Sequence, residues 1–323
     1  MTDEPGTPHD PLQHGGADHQ SAHATAHATT HNHAHLDEGD WAEMAEATEE
    51  LGEVFSDFVH HAIAWVNELR DPAHGPVRHV IDVGSGPGVA ACAFATAFPT
   101  ARATAADSSP AMLQRAAARA ERLGLSDRFE TNLAELPDRM EGIDQADVVW
   151  ASMALHHVGD EVAALRAMGR LLRPGGILIV AEFPENEGPM TMLPALIDND
   201  VPGLVARIAE ASRAWFGSMR AGLAGSTPSR ALEEMVAAAG LEVMRSHVDR
   251  IRLEAPLSAS AKRVAVRTLE RVESQMGDLL GAADLAALAR LRDPTNERSL
   301  LRRNDLYFDA ARLVVAIRNP PGT

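Results

Sequence analysis

Cysteine is nearly absent: Cys92 is the single thiol in 323 residues. One thiol cannot form a disulfide within the chain, which fits a reducing compartment and predicts a cytoplasmic protein. Aromatic residues make up 4%, with Tyr307 the one tyrosine, so Ala, Val, Leu and Met must build the core. Positive charge is scarce: 29 Lys and Arg face 46 Asp and Glu, a formal net charge of −17. That balance argues against a nucleic-acid or anionic-membrane surface, because phosphate contacts need clustered Lys and Arg. No apolar run reaches the ~20 residues of a membrane span, and the N-terminus shows no signal-peptide core. The length is still ample to bury a core.

Large apolar side chains are also missing from residues 1–36, which hold eight of the fifteen histidines amid Ala, Gly, Thr and Pro. Such a segment cannot bury enough surface to fold alone and is predicted to be a disordered tail. His19, His23, His27, His31 and His35 recur every fourth residue. In a helix, neighbouring pairs would share a face and could chelate a transition metal. The plainer reading is a solvated His-biased tail that takes up metal adventitiously, with no dedicated metal site.

What the chain does have is an unusual stretch at Val80-Ile81-Asp82-Val83-Gly84-Ser85-Gly86-Pro87-Gly88. An apolar run ends near an acid, then come glycines at every second position, then Ala-rich sequence. This is how a buried parallel strand passes to a helix through a ligand-binding turn. Position 89 is Val, so the G-x-G-x-x-G dinucleotide fingerprint is incomplete. Asp107, nineteen residues past Gly88, ends a second short apolar run, where an acid can accept ribose hydroxyls. Ser109 is the expected N-cap of the next helix, Pro110 its first residue and Gly124 its stop.

Strands are predicted near 79–83, 101–106, 128–131, 146–151 and 177–182, alternating with helices near 88–98, 110–123 and 160–172. That alternation implies right-handed crossovers and a parallel sheet. Asp160 is expected to cap the helix after the fourth strand, and Arg173-Pro174-Gly175-Gly176 to turn into the fifth. Residues 37–76 carry an apolar i, i+3, i+4 stripe and are predicted helical. Beyond 183 the expectations are one or two helices over 190–222, a helix opened by Thr227-Pro228 and closed by Gly240, a strand near 242–253, two helices over 259–292 and a last strand near 308–317. The predicted organisation is a tail (1–36), leading helices (37–78), a ligand-binding core (79–185) and a second half of the same domain (186–323).

Five segments together resemble the class I S-adenosylmethionine-dependent methyltransferases, in that family's order and spacing. They are VIDVGSGPG (80–88), Asp107-Ser108-Ser109-Pro110-Ala111-Met112-Leu113, TNLAELP (131–137), ADVVWASMALHHV (146–158) and LLRPGGILIVAE (171–182). They cover about a third of the chain. The resemblance implies an α/β, Rossmann-like, doubly wound, mostly parallel seven-stranded sheet with an antiparallel edge hairpin and helical cap insertions. It implies S-adenosyl-L-methionine as cofactor and a small-molecule acceptor methylated at an O, N or C nucleophile. By resemblance, Asp82 serves the methionine amino group, Gly84, Ser85, Gly86 and Gly88 the loop, and Asp107 with Ser108 the ribose. Asn132 and Leu133 stand where the family has an acid and an apolar residue at the adenine. Met112 is equally an adenine contact or core, and Ala151 and Ser152 should lie near the methionine moiety.

His156 and His157 are the catalytic candidates. They follow the fourth strand, at the carboxyl edge where ligands bind in such sheets. Leu155-His156-His157 resembles both an O-methyltransferase stretch whose histidine is a general base and a broader small-molecule stretch whose histidine is structural. Arg292, Arg298, Arg302 and Arg303 either recognise an anionic substrate or balance nearby acids. Cys92 is expected to pack within a helix. A homodimer is left open. The rival readings are aminopropyl transfer on the same fold, cofactor binding without catalysis, and metal handling by the His-rich tail.

Overall fold

In the computed structural model of the chain, residues 38–184, 193–195, 201–226 and 230–320 are described, with backbone only for 38–42. The His-rich tail and the expected helix start at Thr227-Pro228 lie outside the described residues.

Seven strands form one sheet in the order β3-β2-β1-β4-β5-β7-β6. They are β1 (His79–Val83), β2 (Arg102–Asp107), β3 (Phe129–Leu133), β4 (Ala146–Ser152), β5 (Leu172–Glu182), β6 (Glu242–Leu253) and β7 (Phe308–Arg318). The first five pair in parallel, whereas β7 runs antiparallel to both β5 and β6. The expected edge pair is therefore present, although two helices intervene between its strands. β5 is longer than expected: Arg173-Pro174-Gly175-Gly176 lies inside the strand rather than leading into it. Its neighbour β4 shifts register between Ala146 and Val148, which absorbs those residues. β6 is the exposed edge, with Val248 44% accessible.

The helices are α1 (Glu38–Val54), α2 (Asp57–Leu69), α3 (Val89–Ala97), α4 (Pro110–Arg122), α5 (Glu161–Arg170), α6 (Leu204–Ala221), α7 (Leu232–Ala238), α8 (Ala259–Met276) and α9 (Ala282–Arg292). The predicted helical run over 37–76 is thus α1 and α2 followed by a short 3-10 turn. The expected caps are present: Ser109 Oγ accepts the Met112 N–H and Asp160 Oδ1 accepts the Ala163 N–H.

Strand periodicity sorts the core. Ile81, Val149 and Leu178 point to one side and pack with Leu165 and Met168 of α5 and Val236 of α7. Val80, Val148, Trp150 and Ile179 point to the other and pack with Val59, Ile63 and Val66 of α2 and Phe94 of α3. A separate cluster joins α6, α8 and α9 through Ile208, Leu269 and Leu288, and meets the rest at Phe55 and Phe308. The cap insertions therefore have a core of their own. No helix among the described residues is long and apolar enough to cross a membrane.

Charged pairs hold α1 over the sheet's carboxyl end. Glu49, nearly buried, takes Arg115, Arg119 and Arg122 of α4. Burial raises its carboxyl pKa, but hydrogen bonds from Arg115 and Arg119 outweigh that and hold it below the ordinary value. On the other flank, Glu50 pairs with Arg263 and Arg267 of α8. Because Glu49 has a depressed pKa when folded, its contribution is present at neutral pH and fades as pH falls through that depressed value. Glu49→Gln should lower stability at pH 7 by about 2 kcal/mol, since Arg115 and Arg122 lose their charge partner and Arg119 keeps only Glu53. Thermal melts should show the gap narrowing towards pH 4; equal melting temperatures at pH 7 would refute the clamp.

Candidate active site

In the sheet order, connections leave β1 towards one edge and β4 towards the other, so a crevice opens between their carboxyl ends. The β1 loop fills one side of it. Gly84 and Ser85 both donate their backbone N–H to the Ala106 carbonyl, at 2.8 and 3.1 Å. Gly84 has φ +69°, and a Cβ there would lie 2.5 Å from the Ala154 Cβ. The loop and the turn after β4 thus touch at a point where only hydrogen fits. Gly86, at φ +51°, faces Thr48 of α1 at ordinary contact distance. Gly88 is different: a Cβ there would strike Ala116 of α4 at 2.7 Å. At φ +76°, this glycine makes room for α4.

Two carboxylates stand behind the loop. Asp82 is 3% exposed and its Oδ2 accepts the Ala91 N–H at 2.9 Å. Burial pushes its pKa up to about 7, the Ala91 hydrogen bond opposes this, and the nearby Asp107 charge adds to it. Asp107 ends β2, where its Oδ2 accepts the Gly86 N–H at 2.8 Å and its Oδ1 the Ser109 N–H at 2.9 Å. Burial raises its pKa against these hydrogen bonds. Ser108 is exposed beside it. On β3, Asn132 is paired with Ala106 and Leu133 with Asp107. Leu133 is 63% exposed, a large apolar side chain open at the edge next to a ribose-type acid. Met112 is buried in the first turn of α4. Ala151 is buried beside Val83, while Ser152 is half-buried at the tip of β4.

These features suit S-adenosylmethionine. Asp82 offers a carboxylate for the methionine ammonium, Asp107 retains lone pairs for ribose hydroxyls, the glycine loop admits close approach, and Leu133 offers an apolar face for adenine.

The turn after β4 carries the histidines. Met153 has φ +57°, a conformation that costs a non-glycine residue energy. Its N–H is held by the Ala181 carbonyl at 2.8 Å. His156 and His157 lie in a 3-10 turn, with His157 exposed and the His156 side chain 12% exposed. His156 Nδ1 is 2.6 Å from Glu182 Oε2, and Glu182 Oε1 accepts the Leu155 N–H at 2.8 Å. Arg220 of α6 donates to the carbonyls of His156 and Val158 at 3.0 and 2.5 Å and pairs with Glu161 at 2.8 Å. Behind Glu182 lies Arg312 of β7, whose pKa burial lowers to about 10 while attraction to Glu182 opposes the fall.

Glu182 and Arg220 hold the His156 turn, and sequence reasoning misses both. Glu182 carries a signal: it is the third acid, with Asp82 and Asp107, at the carboxyl end of a parallel strand. Arg220 carries none, because it reaches the turn from an insertion 62 residues beyond Val158.

The remaining candidates resolve as structure. Arg292 pairs with Glu273, Arg303 with Asp305, and Arg302 donates to the Thr295 carbonyl, so these three are engaged locally. Cys92 is buried, and burial pushes its thiol up to about 11, which suits packing and not nucleophilic work. A groove of about 610 Å³ beside it lies between α2, α3 and α4, away from the carboxyl edge. No cluster suited to a metal ion occurs among the described residues.

Residues 81–178 match the family described as a methyltransferase domain. The chain carries a class I S-adenosylmethionine-dependent methyltransferase domain. A trans-aconitate 2-methyltransferase from Methylobacterium radiotolerans is 35% identical over 117 residues, 36% of this chain and 42% of that protein. A malonyl-[acyl-carrier protein] O-methyltransferase from Dechloromonas aromatica is 36% identical over 113 residues, 35% and 38% of the two chains. A 27-O-demethylrifamycin SV methyltransferase from Amycolatopsis mediterranei is 34% identical over 148 residues, 41% and 54%. The chain thus spans about half the length of the curated relatives it matches, or less. The shared stretch holds the glycine loop, Asp82 and Asp107, and the cap helices fall outside the matched domain.

As the candidate partner of a methionine ammonium, Asp82 predicts a pH dependence of cofactor binding. With a pKa of about 7 before a ligand binds, it is mostly protonated at pH 6, and a bound ammonium must drive the proton off. Cofactor affinity should therefore rise about tenfold from pH 6 to pH 8, with protons released on binding at the lower pH. Calorimetry in buffers of different ionisation enthalpy checks this, and Asp82→Asn should abolish the release. Flat affinity with no release would refute it.

Proposed function

We propose that this chain transfers the methyl group of S-adenosylmethionine to a hydroxyl of a small-molecule acceptor, with His156 as general base and Glu182 as its positioning residue. The observation that supports this reading is the 2.6 Å pair of His156 Nδ1 and Glu182 Oε2, placed one turn from the glycine loop by the contact of Ala154 with Gly84. A carboxylate at Nδ1 orients the ring, leaving Nε2 to accept a proton.

When bound, S-adenosylmethionine supplies an electrophilic methyl on a sulfonium, so the chain's residues need only bind, orient and remove a proton. Asp82 and Asp107 hold opposite ends of the cofactor. The loop amides and α1 shield it from water, and alignment of the reactants supplies much of the rate. His156 takes the hydroxyl proton as the oxygen bonds to carbon, and the cofactor leaves as a neutral thioether. Glu182 steadies the imidazolium formed, while Arg220 fixes the backbone on either side of His157. The site residues, the hydroxyl specificity and the small-molecule acceptor all belong to this proposal.

The test is transfer of labelled methyl to hydroxylated small molecules by wild type, His156→Gln and Glu182→Gln. His156→Gln should lower kcat by about 10²–10⁴ and leave the affinity for S-adenosylhomocysteine unchanged. Glu182→Gln should lower kcat less and alter the pH profile. Full turnover by His156→Gln would contradict the assignment.

A further inference from the structure

The surroundings of His156 restrict the acceptor. The chain is poor in aromatic residues, with eight phenylalanines in 323 residues, yet two of them flank this one imidazole. The Phe183 ring lies 5.1 Å and the Phe216 ring 5.7 Å from the His156 ring. The two phenylalanines meet edge to face, with centroids 6.1 Å apart at 89°. Both are only half-buried, unlike the fully buried Phe94 and Phe308 of the cores.

Phe216 belongs to an insertion, but its position is firmly set. Arg220, one turn further along α6, reaches the His156 turn and pairs with Glu161. The segment after α6 then packs so closely on Gly159 that a Cβ there would fall 1.6 Å from the Ala224 carbonyl oxygen. Helix α6 is therefore pinned against the His156 turn, with Phe216 beside the imidazole.

Charge also shapes the platform. The Arg312 guanidinium lies 5.5 Å from the Phe183 ring centroid and 5.3 Å from that of Phe58. A cation on an aromatic face draws on its π density and favours stacking of an electron-rich ring nearby. The base is compatible with this: imidazole takes a proton from a phenol in a concerted step across a smaller pKa gap than from an alkanol.

We infer that the acceptor is a planar aromatic compound, that its own ring hydroxyl takes the methyl group, and that the half-exposed Phe183–Phe216 pair seats its ring beside His156. This rests on the hydroxyl-methylation reading above. The O–CH3 bond forms as the sulfonium S–CH3 bond breaks, its electron pair stays on sulfur to leave S-adenosylhomocysteine, and the hydroxyl proton passes to His156.

The test uses the full-length protein saturated with S-adenosylhomocysteine, titrated calorimetrically with 1-naphthol and with its saturated counterpart, decahydro-1-naphthol. The expected result is about tenfold tighter binding of the aromatic alcohol, the scale of one aromatic pair beyond simple burial. Phe216→Leu should bring the ratio close to one with S-adenosylhomocysteine affinity unchanged, which separates a lost platform from a misfolded protein. Equal binding of the two alcohols, no naphthol binding, or a ratio that survives in Phe216→Leu would overturn the inference. If wild type fails to bind S-adenosylhomocysteine, the methyl-transfer reading falls and takes this inference with it; failure of the ratio alone overturns only the acceptor class.

Discussion

The site depends on one close approach: the hydrogen of Gly84 against the methyl of Ala154. That contact brings the turn after β1 up to the turn after β4, across the crevice where the sheet's connections change direction. Everything functional follows from it. Asp82 and Asp107 lie on the β1–β2 side, and His156 with Glu182 on the β4–β5 side. A methyl group at Gly84 would push the two halves apart, and φ +69° would strain it further. The two aspartates and the candidate base are neighbours because a glycine stands between them.

Around this contact the chain mixes two kinds of electrostatics. Asp82 is buried with one backbone donor and a like charge nearby, so without a cationic ligand it stays partly protonated. Its raised pKa means that the folded protein without ligand gains stability as pH falls below about 7 towards the ordinary aspartate range, and loses it as pH rises back through that window. Glu49 is the opposite case, with three arginines holding it charged and a contribution that disappears in acid. One carboxyl carries a cost of burial that a nearby cation would relieve; the other secures α1 against α4. Such opposed environments for carboxylates within one site are typical of functional clefts.

Much of the fold was legible in the sequence because its signals are local. Fully buried parallel strands appear as short apolar runs, and Ser109, Asp160 and Gly124 act within a few residues of themselves. The loop residues and Asp107 were legible for the same reason: their spacing is set inside one strand–helix–strand unit. Three things were not. The Pro-Gly-Gly of 174–176 looks like a turn, but pairing with β4 across a register shift keeps it in a strand. At Gly88 the missing side chain makes room for α4, a contact that no local signal announces. Arg220 lies in an insertion with no motif, and only packing brings it to His156.

Methyl transfer needs a cofactor site, and Asp107 is its candidate anchor. The most direct measurement is calorimetric titration of the purified protein with S-adenosylhomocysteine, beside an Asp107→Ala variant that melts at the wild-type temperature. Two charge-assisted hydrogen bonds to ribose predict a loss of about 3 kcal/mol, more than a hundredfold in affinity. Binding by wild type that weakens to that degree in the variant is the result expected here. No binding by wild type, or equal binding by both proteins, would contradict it.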